Sequence, residues 1–294
     1  MPRLLRNLAM MIAVGTLWGL TPAMGKLALA EGMRPLGVAS ISAAVAASVL
    51  FGVAFVRGQA PPMDRAHIRQ YVAGGVVGLA FAHLFAFTGL QRVPAGLFAL
   101  MVPLSGLFTM LFFALAGIER ATAVRLIGSA VGMAGVALAM APGAALPDPA
   151  LLPWAAIMLL TPVCYAASNL FSVKFAVRGT PPLAQASGTV IFAALGAAVI
   201  AWPLGHIGLP PRAGIALLLL GQGIATAVAY MLYFRLLVNA GGVFTSQAAY
   251  VITLAGLFWG FLLFDEVPGW LTIPAASLIF GGVALVTLAP RPAR

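Results

Sequence analysis

The chain has 294 residues, of which 62% are hydrophobic and only 7% charged. A soluble domain carries roughly 25% charged residues, so the composition excludes a water-covered globule and leaves an integral membrane protein. The net charge of +10 does not mark a nucleic-acid binder. Its basic residues stand singly between apolar runs and read as topology determinants.

The charges cut the chain into ten uncharged runs: 7–25, 35–56, 70–91, 93–118, 126–147, 149–173, 179–211, 213–234, 236–264 and 267–290. A helix needs about 20 residues to span the hydrocarbon, and lipid cannot satisfy a free backbone amide. Alternating ten-residue strands, which a barrel would need, are absent. The pattern predicts an all-α integral membrane fold of ten transmembrane helices, each trimmed to 19–25 residues. Short linkers rich in Pro or Gly fall at 57–69, 142–153, 179–182 and 203–212. The first run follows Arg3 and Arg6. It is too long for a signal-peptide core and precedes many further spans, so it reads as the first transmembrane helix. The lone Cys164 has no disulfide partner in the chain.

Orientation follows from Lys and Arg. With the N-terminus inside, twelve basic residues face the cytoplasm: Arg3, Arg6, Arg57, Arg65, Arg69, Arg120, Arg125, Lys174, Arg178, Arg235, Arg291 and Arg294. Four face outward: Lys26, Arg34, Arg92 and Arg212. This asymmetry predicts both termini in the cytoplasm.

The two halves align at an offset near 147. Trp18 falls on Tyr165, Thr21 on Ser168, Gly74 on Gly221, Glu119 on Glu266, and Gly135-Val136-Ala137-Leu138 on Gly282-Val283-Ala284-Leu285. A shift of 148 sets Lys26 on Lys174. Five helices per half is an odd number, so residues 1–145 and 146–294 are expected to be inverted five-helix repeats. That is a transporter architecture, with its substrate site near the midplane between the halves.

Three segments carry a family resemblance: Leu17-Trp18-Gly19 with Lys26; Ala95-Gly96-Leu97 through Pro103 to Gly117-Ile118-Glu119-Arg120; and Gly128 with the Gly135-Val136-Ala137-Leu138 that follows. In these the whole chain resembles the EamA-type branch of the drug/metabolite transporter superfamily. The resemblance implies a ten-helix bacterial inner-membrane carrier, often an exporter of amino acids or related metabolites. The second half departs from the pattern, with Tyr250-Val251-Ile252 where the first half has Pro103, and Asp265-Glu266 where Gly-Glu is usual.

The sequence holds no paired carboxylates, no His/Cys metal spacing and no phosphate loop, so no catalytic residue, metal or cofactor is expected. The six acidic residues, Glu31, Asp64, Glu119, Asp148, Asp265 and Glu266, all fall in predicted loops. His83 lies mid-run. It reads either as a substrate or proton ligand or as a neutral histidine bonded to another helix. Trp18 and Tyr165 offer flat apolar faces with polar edges suited to a small organic solute, or they pack. Thr21, Asn169, Tyr230, Gln247 and Tyr250 complete the candidate lining, with Met101 as a flexible wall; helix–helix hydrogen bonds are the rival reading for the amides. Pro22 and Pro103 are candidate hinges. Lys26 and Lys174 are expected to snorkel to the headgroups, with a gate contact to an anionic group as the alternative.

Mixed aromatics, amides and hydroxyls without a buried fixed charge suit a neutral or zwitterionic solute. The expected activity is alternating-access transport by a monomer or homodimer in the lipid bilayer, with no nucleic-acid partner. The alternatives are a lipid flippase of the same fold and a membrane-embedded enzyme.

Overall fold

The computed structural model describes residues 2–118, 122–141, 144–246 and 248–288. Glu119, Arg120, Gln247, Arg291 and Arg294, named above, lie outside them. Each uncharged run becomes helix: α1 Pro2–Ala30, α2 Pro35–Val56, α3 Arg65–Leu90, α4 Ala95–Leu115, α5 Ala123–Ala139, α6 Pro149–Lys174, α7 Pro182–Ala201, α8 Ala213–Ser246, α9 Ala248–Phe264 and α10 Thr272–Leu288. No strand occurs among the described residues. Seven helices are long and apolar enough to cross a membrane, and α5, α9 and α10 are shorter.

The boundaries depart from expectation in two ways. Helices α5, α9 and α10 have 17 residues each, below the expected range, and α1, α3 and α6, with 29, 26 and 26, exceed it. Helix α8 has 34 and runs straight through Arg235, where a break was predicted. A single Arg is a good helix former, so a charge ends an uncharged run without ending the helix. Asp64, likewise, caps α3: its side chain accepts from the Ala66 and His67 amides and pairs with the His67 ring. That pairing holds the Asp64 carboxyl below the usual carboxylate range.

The helix contacts respect an exchange of i with i+5. Pairs α2–α7, α4–α9 and α5–α10 each join counterparts. Contact α1–α8 answers α3–α6, α1–α9 answers α4–α6, and α2–α8 answers α3–α7. The α5–α10 crossing shows it at atomic level. A Cβ on Gly135 would meet the Ala275 carbonyl at 2.8 Å, and one on its counterpart Gly282 would meet the Gly128 carbonyl at 2.5 Å. Small residues here let the backbones touch. The left-handed turn glycines repeat as well: Gly32 with Gly179 (φ 88° and 81°) and Gly58 with Gly205 (φ 65° and 63°).

Packing differs between the two faces. The far face is defined here by the end of α1. The larger core cluster draws on every far-face corner: Leu29 and Met33 around the end of α1, Leu90 and Val93 around the end of α3, Ala139 and Leu146 around the end of α5, Ala201 and Ile215 around the α7–α8 turn, and Ala275 at the start of α10. The smaller cluster toward the near face draws only on α2, α7 and α8, through Leu50, Ala54, Leu183, Val190 and Ala227 among others. The larger cluster thus joins the far-face corners and continues along α4 and α10 through Leu107, Met110, Val283 and Val286, while the smaller one stays between α2, α7 and α8, with Leu79 of α3 against it.

Candidate functional site

Midway along α1 the chain places Trp18. Its ring lies 5.2 Å from Tyr230, edge-on at 81°, and 5.3 Å from Tyr233, tilted at 48°. Tyr230 in turn stacks on Phe234 at 6.3 Å. Trp18 and two tyrosines of α8 thus meet at mid-depth, and all three, like Tyr165 of α6, keep part of their surface accessible. Aromatic faces with polar edges, gathered from both halves, form a surface for a flat or amphipathic solute.

His83 of α3 is also partly accessible. Its ring lies 5.7 Å from Phe87, and Phe87 fills the space a side chain on Gly25 of α1 would take. Neither His83 nitrogen has a hydrogen-bond partner among the described residues, so the interhelical bond of the packing reading is missing. The stretch before it, Val72–Ala80, widens into π-helical turns. Gly75 there abuts the Thr189 carbonyl and Gly78 abuts Ser168, while the Ser168 hydroxyl donates to the Gly74 carbonyl at 3.2 Å. Such widened turns recur at functional sites, and sequence periodicity carries no sign of this one.

The other candidates sit elsewhere. Met101 is fully buried and lines no accessible space, because α4 sinks into the larger core. The Tyr250 ring sits edge-on to Phe280 at 5.1 Å and packs against that core rather than beside Trp18. Asn169 is exposed, with its amide donating to the Thr109 hydroxyl at 2.9 Å, the helix–helix bond of the rival reading. The buried Gln222 side chain donates to the Thr21 carbonyl at 3.0 Å. Gln247 lies outside the described residues.

Each candidate hinge proline leaves a carbonyl four residues back without its amide donor, and a threonine hydroxyl serves each. Thr21 donates to the Trp18 carbonyl at 3.0 Å, and α1 runs unbroken through Pro22. Thr253 of α9, which is fully buried, shares its hydroxyl between the Ala99 carbonyl at 3.0 Å and the Ala249 carbonyl of its own helix at 3.1 Å. Helix α4 is interrupted at Val102–Pro103. Thr253→Val is therefore expected to cost about 1 kcal/mol, the scale of one interhelical bond in a membrane. The loss should shrink in a Pro103→Ala background, where residue 103 regains its amide. A double-mutant cycle on unfolding free energies reads this directly; equal losses in both backgrounds would refute it.

Lys26 does not snorkel. Its ammonium contacts Glu266 Oε1 at 2.5 Å, with the two side chains 20% and 14% exposed, and donates to the Val93 carbonyl at 3.0 Å. Glu266 bends back from its loop to accept from the Ala95 and Gly96 amides at 2.9 and 3.0 Å. Sequence reasoning placed Glu266 in a loop and missed this insertion. A second cross-half pair at the far face, Arg212 with Glu31, is largely exposed. In the same region, burial and the Arg34 charge hold the His206 imidazole below its ordinary range.

The EamA-like transporter family model matches the chain twice, over residues 5–141 and 152–288. An uncharacterized inner membrane transporter, YedA of Escherichia coli strain K12, is 25% identical over 285 residues, covering 95% of this chain and 89% of the relative. The O157:H7 YedA matches to the same extent. A solved crystal structure superposes with a TM-score of 0.64 at 20% identity, covering 98% of this chain and 99% of that one, a likeness of fold alone. By these matches, over nearly its whole length and once in each half, the chain belongs to the EamA-like transporter family of the drug/metabolite transporter superfamily.

Proposed function

We propose that this chain carries a small neutral or zwitterionic organic solute, with amino acids foremost, across the bacterial inner membrane by alternating access. The observation that carries the reading is the accessible aromatic cluster of Trp18, Tyr230 and Tyr233 at mid-depth, built from both halves. All ten helices span the bilayer, the three short ones included, as two inverted five-helix repeats with both termini cytoplasmic. The two family matches support this: the second begins and ends 147 residues after the first (5 to 152, 141 to 288). The exchange symmetry of the helix contacts supports it too, as does the twelve-to-four split of Lys and Arg. His83 lines the solute path and is the candidate for proton coupling. Pro103, at the interruption of α4, is the hinge.

Counterflow in proteoliposomes tests the reading. Vesicles loaded with an unlabelled neutral amino acid should accumulate the labelled one, with saturation, over protein-free controls. Absence of counterflow across a panel of neutral amino acids, with a fluorescent lipid crossing the bilayer instead, would replace the solute with a lipid.

A further inference from the structure

We propose that Lys26 and Glu266 form the clamp that closes the far face, and that this face opens only when the pair parts. The proposal rests on the alternating-access reading above and adds the contact that governs one of its two states.

The clamp joins three elements. Lys26 stands near the end of α1, and Ala95 and Gly96 begin α4; Glu266 follows α9 in the other half of the repeat. The Lys26 ammonium bonds Glu266 and the Val93 carbonyl and lies 4.8 Å from the centre of the Phe264 ring. The Glu266 carboxylate takes both opening amides of α4, where the helix dipole favours negative charge. The chain is shaped to deliver it. Asp265 adopts a left-handed φ of 52°, a conformation non-glycine residues seldom hold, and this turns Glu266 back toward α4. Gly260 keeps the space clear, since a Cβ there would lie 2.6 Å from Glu266 Oε2.

A permanent staple would be better made of apolar side chains. A buried ion pair returns little net stability against well-packed hydrophobic residues, but its groups recover their hydration when they separate into water. A contact that must form and break in every cycle is served by that balance. Its position agrees: the clamp bridges the halves at the face whose corners the larger core cluster joins. The more exposed Arg212–Glu31 pair is too well solvated to hold that face alone. The sequence counterpart of Lys26 in the second half is Lys174, exposed at the near face.

The test uses Thr21→Cys as reporter in a Cys164→Ser chain, five residues toward the near face from Lys26, and a membrane-impermeant maleimide applied to intact cells or to inverted vesicles. With the clamp intact, the reporter should react from the near face and at least ten times more slowly from the far face. Glu266→Gln and Lys26→Met should each raise the far-face rate about tenfold. Lys26→Arg, which keeps the charge, and Lys174→Met, at the opposite face, should leave it slow. An unchanged far-face rate in both Glu266→Gln and Lys26→Met, each eluting as a monodisperse protein, would overturn the clamp and leave the transport reading standing. A reporter unreactive from both faces in every variant would remove the path itself, and both readings with it.

Discussion

Gly282→Leu is expected to cost the protein about 3 kcal/mol, the upper end of overpacking penalties, and to lower its apparent melting temperature in detergent by roughly 10 °C. Gly281→Leu, one position away, should leave both unchanged or slightly improved. The difference lies in what each side chain would meet. At 282 the Cβ alone would sit 2.5 Å from the Gly128 carbonyl and from the Gly132 amide, which are backbone atoms that cannot rotate aside. At 281 there is nothing within 4 Å, and replacing a helical glycine gains propensity. Helices α5 and α10 would have to separate to admit the leucine at 282, and with them the contact on which the exchange of halves is centred. Thermal unfolding of both variants followed by size-exclusion reads the result. Equal stability of the two would mean that the crossing is looser than the structure has it.

The second large effect is on binding. Trp18→Ala should weaken substrate affinity at least tenfold, and Trp18→Phe should recover most of it. The indole contacts two tyrosines, and such aromatic pairs contribute roughly 0.5–1.5 kcal/mol each beyond area burial, so its loss also lets Tyr230 and Tyr233 relax out of place. Tyr250→Ala is the informative contrast. Both residues are mid-run aromatics, but Tyr250 is spent on Phe280, so its loss should lower stability and leave affinity within about twofold. Ligand-dependent thermal shifts measure both quantities on the same samples. Tyr250→Ala losing affinity as strongly as Trp18→Ala would move the site toward α9.

Much of this was legible in the chain. Hydrophobic runs mark helices because lipid leaves the backbone no alternative, and every run holds one. The repeat was legible through residues that are costly to replace, such as Gly135 and Gly282, whose missing side chains the crossing requires. What failed depends on rotation and on distance along the chain. Met101 and Tyr250 share the composition and depth of the cluster residues, and only the turn of each helix about its axis sends them into the core. Run length does not reveal that turn in a helix apolar on all sides. Arg235 reads as punctuation in the sequence because a charge and a helix end look alike in a hydropathy trace. The Lys26–Glu266 pair spans 240 positions and depends on the left-handed turn at Asp265, which no local pattern announces.

The premise under all of this is that the second half enters the membrane upside down relative to the first. Glu31 and Arg178 occupy equivalent places in the two halves, each just before a left-handed glycine, Gly32 and Gly179. Single cysteines at these two positions in a Cys164→Ser chain, probed in intact cells with an impermeant maleimide, measure the premise directly. The cysteine at 31 should react at once, and the one at 178 only after the membrane is permeabilised. Reaction of both from the same side would contradict the inverted arrangement and the transport cycle built on it.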